Sequence, residues 1–369
     1  MVFLFLAAMF FSADSGAAEQ NKAAVPVKLP APLRYAKLAT GPNQPLPPLP
    51  LPKRREEVRR PRMEGSATGY IDNAIVGSQI RIRFDAGFDF TNPDRAEFFY
   101  GKCGCYRGLQ TALPQYYDPN APGPPGGIVT KANFQELQVT FEYAPTDRVS
   151  VFVETPVRWI QPTTTALAPV GKGAGVGDVR VGIKLALIAS RKRYLTFQMR
   201  GYVPSGDSAS GLGTSHATIE PELLFNERLS ERATLAGQFG DWHPIGGSAG
   251  AYPANNGFTG TPGYFPPSQK FSGDILTYGL GASYDLYSGP QVRFTPVVEA
   301  IGWSILDGFA TFPTGTPATE TGGVNIVNLK LGARTSWGGH NSIYIGYGRE
   351  LSHVHWYRDI LRVEYRYLH

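Results

Sequence analysis

The chain has 369 residues, of which 18% are charged, 12% are aromatic and 43 are glycine; a soluble domain carries about 25% charged residues. No stretch past the N-terminus holds 18 consecutive apolar residues, which excludes a helical membrane protein. The net charge of +5 resides in residues 1–65, with ten Lys/Arg against five Asp/Glu, so the body is neutral and offers no basic footprint for nucleic acid.

Taken in chain order, Met1 to Ala18 reads as a signal peptide, with an apolar run from Val2 to Phe11 and small residues Gly16-Ala17-Ala18 for cleavage. Residues 19–66 follow as a disordered, basic, Pro-rich tail. Its run Pro45-Leu46-Pro47-Pro48-Leu49-Pro50-Leu51-Pro52 favours polyproline II and cannot pair in a sheet, because proline lacks the ladder N–H. Lys53-Arg54-Arg55 and Arg59-Arg60-Pro61-Arg62 make residues 53–62 a solvated linker or a periplasmic tether to an anionic surface such as cell wall.

Residues 67–369 form the third region, where polar and apolar residues alternate in segment after segment. Ile80, Ile82, Phe84, Ala86, Phe88 and Phe90 share one face, and Arg81, Arg83, Asp85 and Asp89 the other. Period two is the strand signature. The same reading gives twelve segments, near 79–90, 134–144, 148–159, 177–188, 194–203, 216–227, 231–241, 273–286, 291–303, 324–336, 341–351 and 357–367. Most run 10–14 residues, the length of a tilted membrane strand rather than of an ordinary strand of about 5–6.

The connections sort by length. Tight ones surround Pro145-Thr146-Asp147, 189–193, 228–230, 287–290 and 337–340, and they alternate with long ones at 91–133, 160–176, 204–215, 242–272 and 304–323. Outer-membrane barrels sort their turns and loops in this way. The expected fold is therefore all-β, a transmembrane antiparallel up-and-down barrel of about twelve strands, with both termini at the short-turn end. Trp159, Trp242, Trp303, Trp337, Tyr143 and Tyr367 lie near segment ends and suggest interfacial aromatic girdles.

A membrane barrel turns its apolar face to lipid and its polar face inward. The lumen, and with it the transport path, is then lined by Arg81, Arg83, Asp85, Glu142, Glu154, Arg158, Asp178, Arg180, Lys184, Arg200, Glu220, Glu222, Arg293, Glu299, Lys330, Arg334, Arg362, Glu364 and Arg366. Opposite charges from neighbouring strands can pair there, which lowers the cost of leaving bulk water. Partners are outer-membrane lipid and small-molecule solutes, and the function is a channel with a narrow charged lumen. The alternative is a structural envelope barrel anchoring cell wall through its tail.

Gly173-Ala174-Gly175-Val176-Gly177-Asp178-Val179-Arg180-Val181-Gly182-Ile183-Lys184, then Tyr202-Val203-Pro204-Ser205-Gly206-Asp207, resembles the outer-membrane family of transporters of the MetA pathway of phenol degradation. That family is similar to FadL-like channels for hydrophobic compounds. The resemblance spans about 134–369 in layout, its motifs about 175–215, and it implies uptake of aromatic or hydrophobic molecules. FadL-like channels are expected to have fourteen strands and an N-terminal plug. Here the pattern gives twelve strands and an N-terminus without a plug-like apolar pattern.

The remaining constellations carry little chemistry. Cys103-Gly104-Cys105, in the first long loop of an exported chain, is expected to form an intraloop disulfide, with a metal site or an intermolecular bridge as alternatives. His353-Val354-His355 offers two imidazoles without a third ligand, so no metal site is assigned. Ser215 and His216 are adjacent on a strand and face opposite ways, so they cannot be a nucleophile and its base. No catalytic residue and no cofactor are assigned, and the chain is not read as an enzyme.

Overall fold

The computed structural model describes residues 65–91, 99–108, 110–111, 117–166, 168–247, 271–311 and 319–369. The expected signal peptide, and the Pro-rich tail up to residue 64, lie outside the described residues.

Twelve strands make the wall: β1 (Gln79–Phe90), β2 (Ile128–Tyr143), β3 (Val149–Ala166), β4 (Val179–Ala189), β5 (Arg193–Val203), β6 (Ala217–Arg228), β7 (Ala233–Ile245), β8 (Ile275–Tyr284), β9 (Val292–Ile305), β10 (Asn325–Trp337), β11 (Asn341–Glu350) and β12 (Asp359–Leu368). Each pairs antiparallel with its chain neighbours. The ring closes where β1 meets β12, from Gln79 opposite Leu368 to Phe88 opposite Asp359. Closure gives every one of the twelve wall strands two neighbours, as a wall in lipid requires.

The period-two reading put each wall strand in place, with three departures at the ends. β7 runs to Ile245 rather than 241, β2 begins at Ile128 rather than 134, and β3 runs on to Ala166 rather than ending near 159. Register shifts at Val129, Lys131 and Ala132 interrupt the alternation there, so the parity that marks a strand is lost while the pairing continues. Gly173–Val176 adds a short strand to the upper end of β3, and two-residue strands Phe309–Ala310 and Thr319–Glu320 pair in the loop after β9.

Side chains follow the strand parity. Outward positions stay apolar and exposed, with Ile82 at 41%, Ile183 at 45%, Leu331 at 54% and Ile345 at 54%. Inward positions are charged and buried, with Lys330 at 0%, Glu299 at 1%, Glu364 at 1% and Arg334 at 2%. A soluble protein shows the reverse order, so this wall is built to stand in lipid. Trp159, Trp337, Tyr143 and Tyr367 point outward as a girdle requires. Trp242 and Trp303 do not: both are buried, Trp303 sharing the inward parity of Glu299 and Ile301, and they cap the long-loop mouth from inside.

Candidate lumen and transport path

The inward residues form ion pairs in layers between the two mouths. Near the short turns, Glu142 accepts hydrogen bonds from Gln79, Ser150 and Lys184 at 2.6, 2.6 and 3.1 Å. Above it, Arg81 meets Glu154 at 2.7 Å, and Glu364 takes Arg334 at 2.7 Å and Arg366 at 2.8 Å. Arg200 reaches Glu220 at 2.6 Å, Glu222 at 3.5 Å and Glu154 at 3.6 Å. Nearer the long loops, Arg362 grips Asp85 through two bonds of 2.7 Å, and Arg158 meets Glu136 at 2.5 Å. Paired in this way, the charges tolerate a site with little bulk water.

The structure brings most of the sequence-predicted set together in this network, with two placed elsewhere. Asp178 sits at the long-loop rim, where its carboxylate accepts bonds from the backbone N–H groups of Gly206 and Thr214 and from the Thr214 hydroxyl. Arg293 stands near the short-turn rim, 3.6 Å from Asp285. Lys330 is wholly enclosed; it donates to the Tyr357 hydroxyl at 2.8 Å and lies 4.5 Å from the ring centres of Tyr70 and Tyr357. Glu136 and Gln138 were missed, although they share the parity of Glu142. Period two alone would have found both.

Asp72 was also missed, and it belongs to an element the sequence did not announce. Residues 65–78 enter the lumen from the short-turn mouth, rise to about mid-height and return to β1. Backbone groups carry this strap. The Glu299 carboxylate accepts from the N–H groups of Gly69, Tyr70 and Ile71, at 3.2, 3.0 and 2.8 Å. Arg366 donates to the Ser66 carbonyl at 3.0 Å, Arg334 to those of Ala67 and Thr68 at 3.1 and 2.8 Å, and Arg362 to that of Gly69 at 2.6 Å. On the descending side Lys184 holds the Asn73 carbonyl at 3.1 Å, Thr196 the Ala74 carbonyl at 2.5 Å, and Arg200 the Asp72 carboxylate. Gly69 is needed at the apex, because a Cβ there would lie 2.2 Å from the buried ring of Tyr344. The lumen therefore has an N-terminal plug after all, one that is polar rather than apolar.

At the opposite mouth the described residues of the first long loop pack inward. Phe99 packs on Phe90 and Phe134, with ring centres 4.7 and 5.3 Å apart. Behind it Lys102, buried, pairs with Asp118 at 2.7 Å, and Cys103 and Cys105 are joined as an intraloop disulfide. Burial lowers the Lys102 ammonium from its ordinary range, and Asp118 opposes that shift. Ser272 ties the loop to its neighbour by donating to the Gly101 carbonyl at 3.1 Å. Trp303 and Trp356 meet in tilted contact beside it, ring centres 5.0 Å apart. Between loop and strap remains a chamber of about 160 Å³, with Phe99, Phe134, Trp303 and Tyr357 on the loop side and Tyr70 and Asp72 on the strap side.

Two other constellations fall outside the path. Ser215 is exposed while His216 is buried 6.1 Å from the Trp242 ring. His355 lies 3.3 Å from Glu350 at the rim.

Fold and lumen together define a transmembrane β-barrel whose interior is charged, paired and entered by two inserted segments. Among solved structures, an outer membrane channel from Pseudomonas putida F1 has TM-score 0.46 and 12% identity, covering 82% of this chain and 100% of that one. The β domain of the Bordetella autotransporter BrkA gives 0.44 at 12%, covering 79% and 100%. The NanC porin gives 0.39 at 8%, covering 79% and 99%. No family model matches the sequence, and no curated protein does.

Proposed function

We propose that the chain is an outer-membrane channel of a Gram-negative-type bacterium, passing small hydrophobic or aromatic molecules through its charged lumen. The observation that carries this reading is the chamber of about 160 Å³ left between strap and loop. A wall whose only task was to anchor would have no need to keep a cavity lined by both aromatic rings and guanidinium groups. The likeness of 173–184 and 202–207 to the MetA-pathway transporters supports the aromatic class of solute. In this reading residues 1–18 direct export and 19–64 are a periplasmic tail.

Passage requires the strap to shift. Its bonds are charge-assisted, worth about 1.5–3 kcal/mol each, and run largely to backbone groups, so water that enters the lumen can replace them one at a time. The test is single-channel recording in planar bilayers. We expect small, intermittent conductance from the intact chain and larger, steadier conductance when Glu299→Ala loosens the strap. A barrel silent in both forms overturns the channel.

The second reading, a structural barrel tethered to cell wall through residues 53–62, is favoured by the matched ion pairs that fill the lumen. It predicts that deleting 19–62 releases the protein from cell-wall fractions without changing permeability.

A further inference from the structure

The chamber is not electrically uniform. On the side of β5 and β6, Glu220 and the strap's Asp72 share Arg200, and Glu222 takes the Gln198 amide at 2.5 Å. On the side of β1 to β4 the charges are matched, Asp85, Glu136 and Glu154 against Arg83, Arg158 and Arg180, and Arg362 of β12 adds one more guanidinium. Asp85 is taken bidentately by Arg362 and Glu136 by Arg158. Two further guanidiniums meet at the amide oxygen of Gln138: that of Arg83, which also lies 3.2 Å from Asp85 and 3.6 Å from Glu136, and that of Arg180.

Arg180 is the less satisfied of the two. Its nearest carboxylate among the described residues is Glu154 at 3.8 Å, its bond to Gln138 is long at 3.4 Å, and its buried Nε has no hydrogen-bond partner. The group lies over the ring of Tyr202, 5.1 Å from its centre, and both line the chamber. Buried guanidinium donors without acceptors are costly, and a planar carboxylate is the acceptor whose geometry suits them.

Size and roof add the second half. A cavity of about 150 Å³ is enough to hold benzene, and this chamber is about 160 Å³. Phe99, Phe134 and Trp303 present ring faces and edges at its long-loop side, opposite the charged floor. We infer that the chamber is a binding site for a single-ring aromatic monoanion, its carboxylate held by Arg180 and its ring by the aromatic roof. This rests on the channel reading above and narrows its solute from aromatic molecules in general to aromatic carboxylates.

The test is calorimetric titration of the full chain in detergent micelles with three probes: benzoate, the neutral benzamide, and acetate, which lacks the ring. Benzoate should bind saturably, and the other two at least about tenfold more weakly, the value of one lost charge-assisted bond. Arg180→Gln should weaken benzoate by about tenfold and leave benzamide unchanged. If that variant does not fold, judged by heat-shifted electrophoretic mobility, Gln138→Glu is the substitute. It keeps both guanidiniums and supplies them with an internal carboxylate, so benzoate should lose a similar factor. Equal binding of benzamide and benzoate, or benzoate binding untouched by both substitutions, overturns the site. Bilayer recording separates the two readings. Arg180-dependent benzoate binding by a silent barrel leaves the site and removes the channel; conduction without benzoate binding does the reverse.

Discussion

The two segments inserted in the lumen are held by opposite means. The first long loop is held by side chains: Phe99 between two rings, the buried Lys102–Asp118 pair, and a disulfide two residues apart. The strap is held mainly by its own backbone, with charged side chains of the wall reaching to its carbonyls and N–H groups. Apolar packing excludes water and fails only as a unit, whereas each strap bond has a water-bonded alternative. One segment is built to stay and the other to yield.

Four substitutions or conditions break or sharpen that contrast. The largest effect is expected from Phe99→Ala, which empties the centre of the loop's core and should cost about 3–5 kcal/mol, read as a lowered thermal midpoint of the lid in hydrogen exchange. Glu299→Ala comes next. It strips the acceptor from three N–H groups, costs about 2–3 kcal/mol locally, and should raise labelling of a cysteine placed at Ser66 while the barrel's own melting barely moves. Gly69→Ala forces the Tyr344 ring aside, at about 1–3 kcal/mol; Tyr344→Leu should restore the strap's protection if the clash is the cause.

The smallest effect is that of acid. Burial alone would raise the Asp72 carboxyl, but Arg200 and Arg81 outweigh it and hold the group far below the ordinary carboxylate range. A pKa depressed by folding gives stability that is complete above the unfolded value and is lost as pH falls below it. Labelling of the strap should therefore stay constant from pH 7 to about pH 4 and rise only at lower pH. A rise beginning near pH 6 would mean that another group latches it.

The wall was legible because its code is the simplest a chain can carry. Ile80, Ile82 and Phe84 against Arg81, Arg83 and Asp85 state both the strand and its inside from parity alone. The same parity placed Arg334, Arg362 and Glu364 in the lumen. It could not choose partners, since register is a property of two strands. It also misled at Trp242 and Trp303, whose size suggested an interface while their parity pointed inward. The strap was illegible for a different reason. Glu299 and Arg334 recognise N–H and C=O groups that every residue possesses, so Ser66 to Ala74 need no particular alphabet beyond Gly69 and Asp72. The beginning of β2 was hidden by its bulges.

The strap also bears on how the barrel is made. Its contacts reach across as many as 300 residues, from Ser66 to Arg366, and across 228 from Ile71 to Glu299. The portion of the chain that is synthesised before any wall strand thus finishes enclosed by strands synthesised last. Contacts so distant in sequence form late, together with the meeting of β1 and β12. The strap thereby serves as a gauge of correct assembly: a ring with a strand too few or too many would not present Glu299, Arg334, Arg362 and Arg366 to it together.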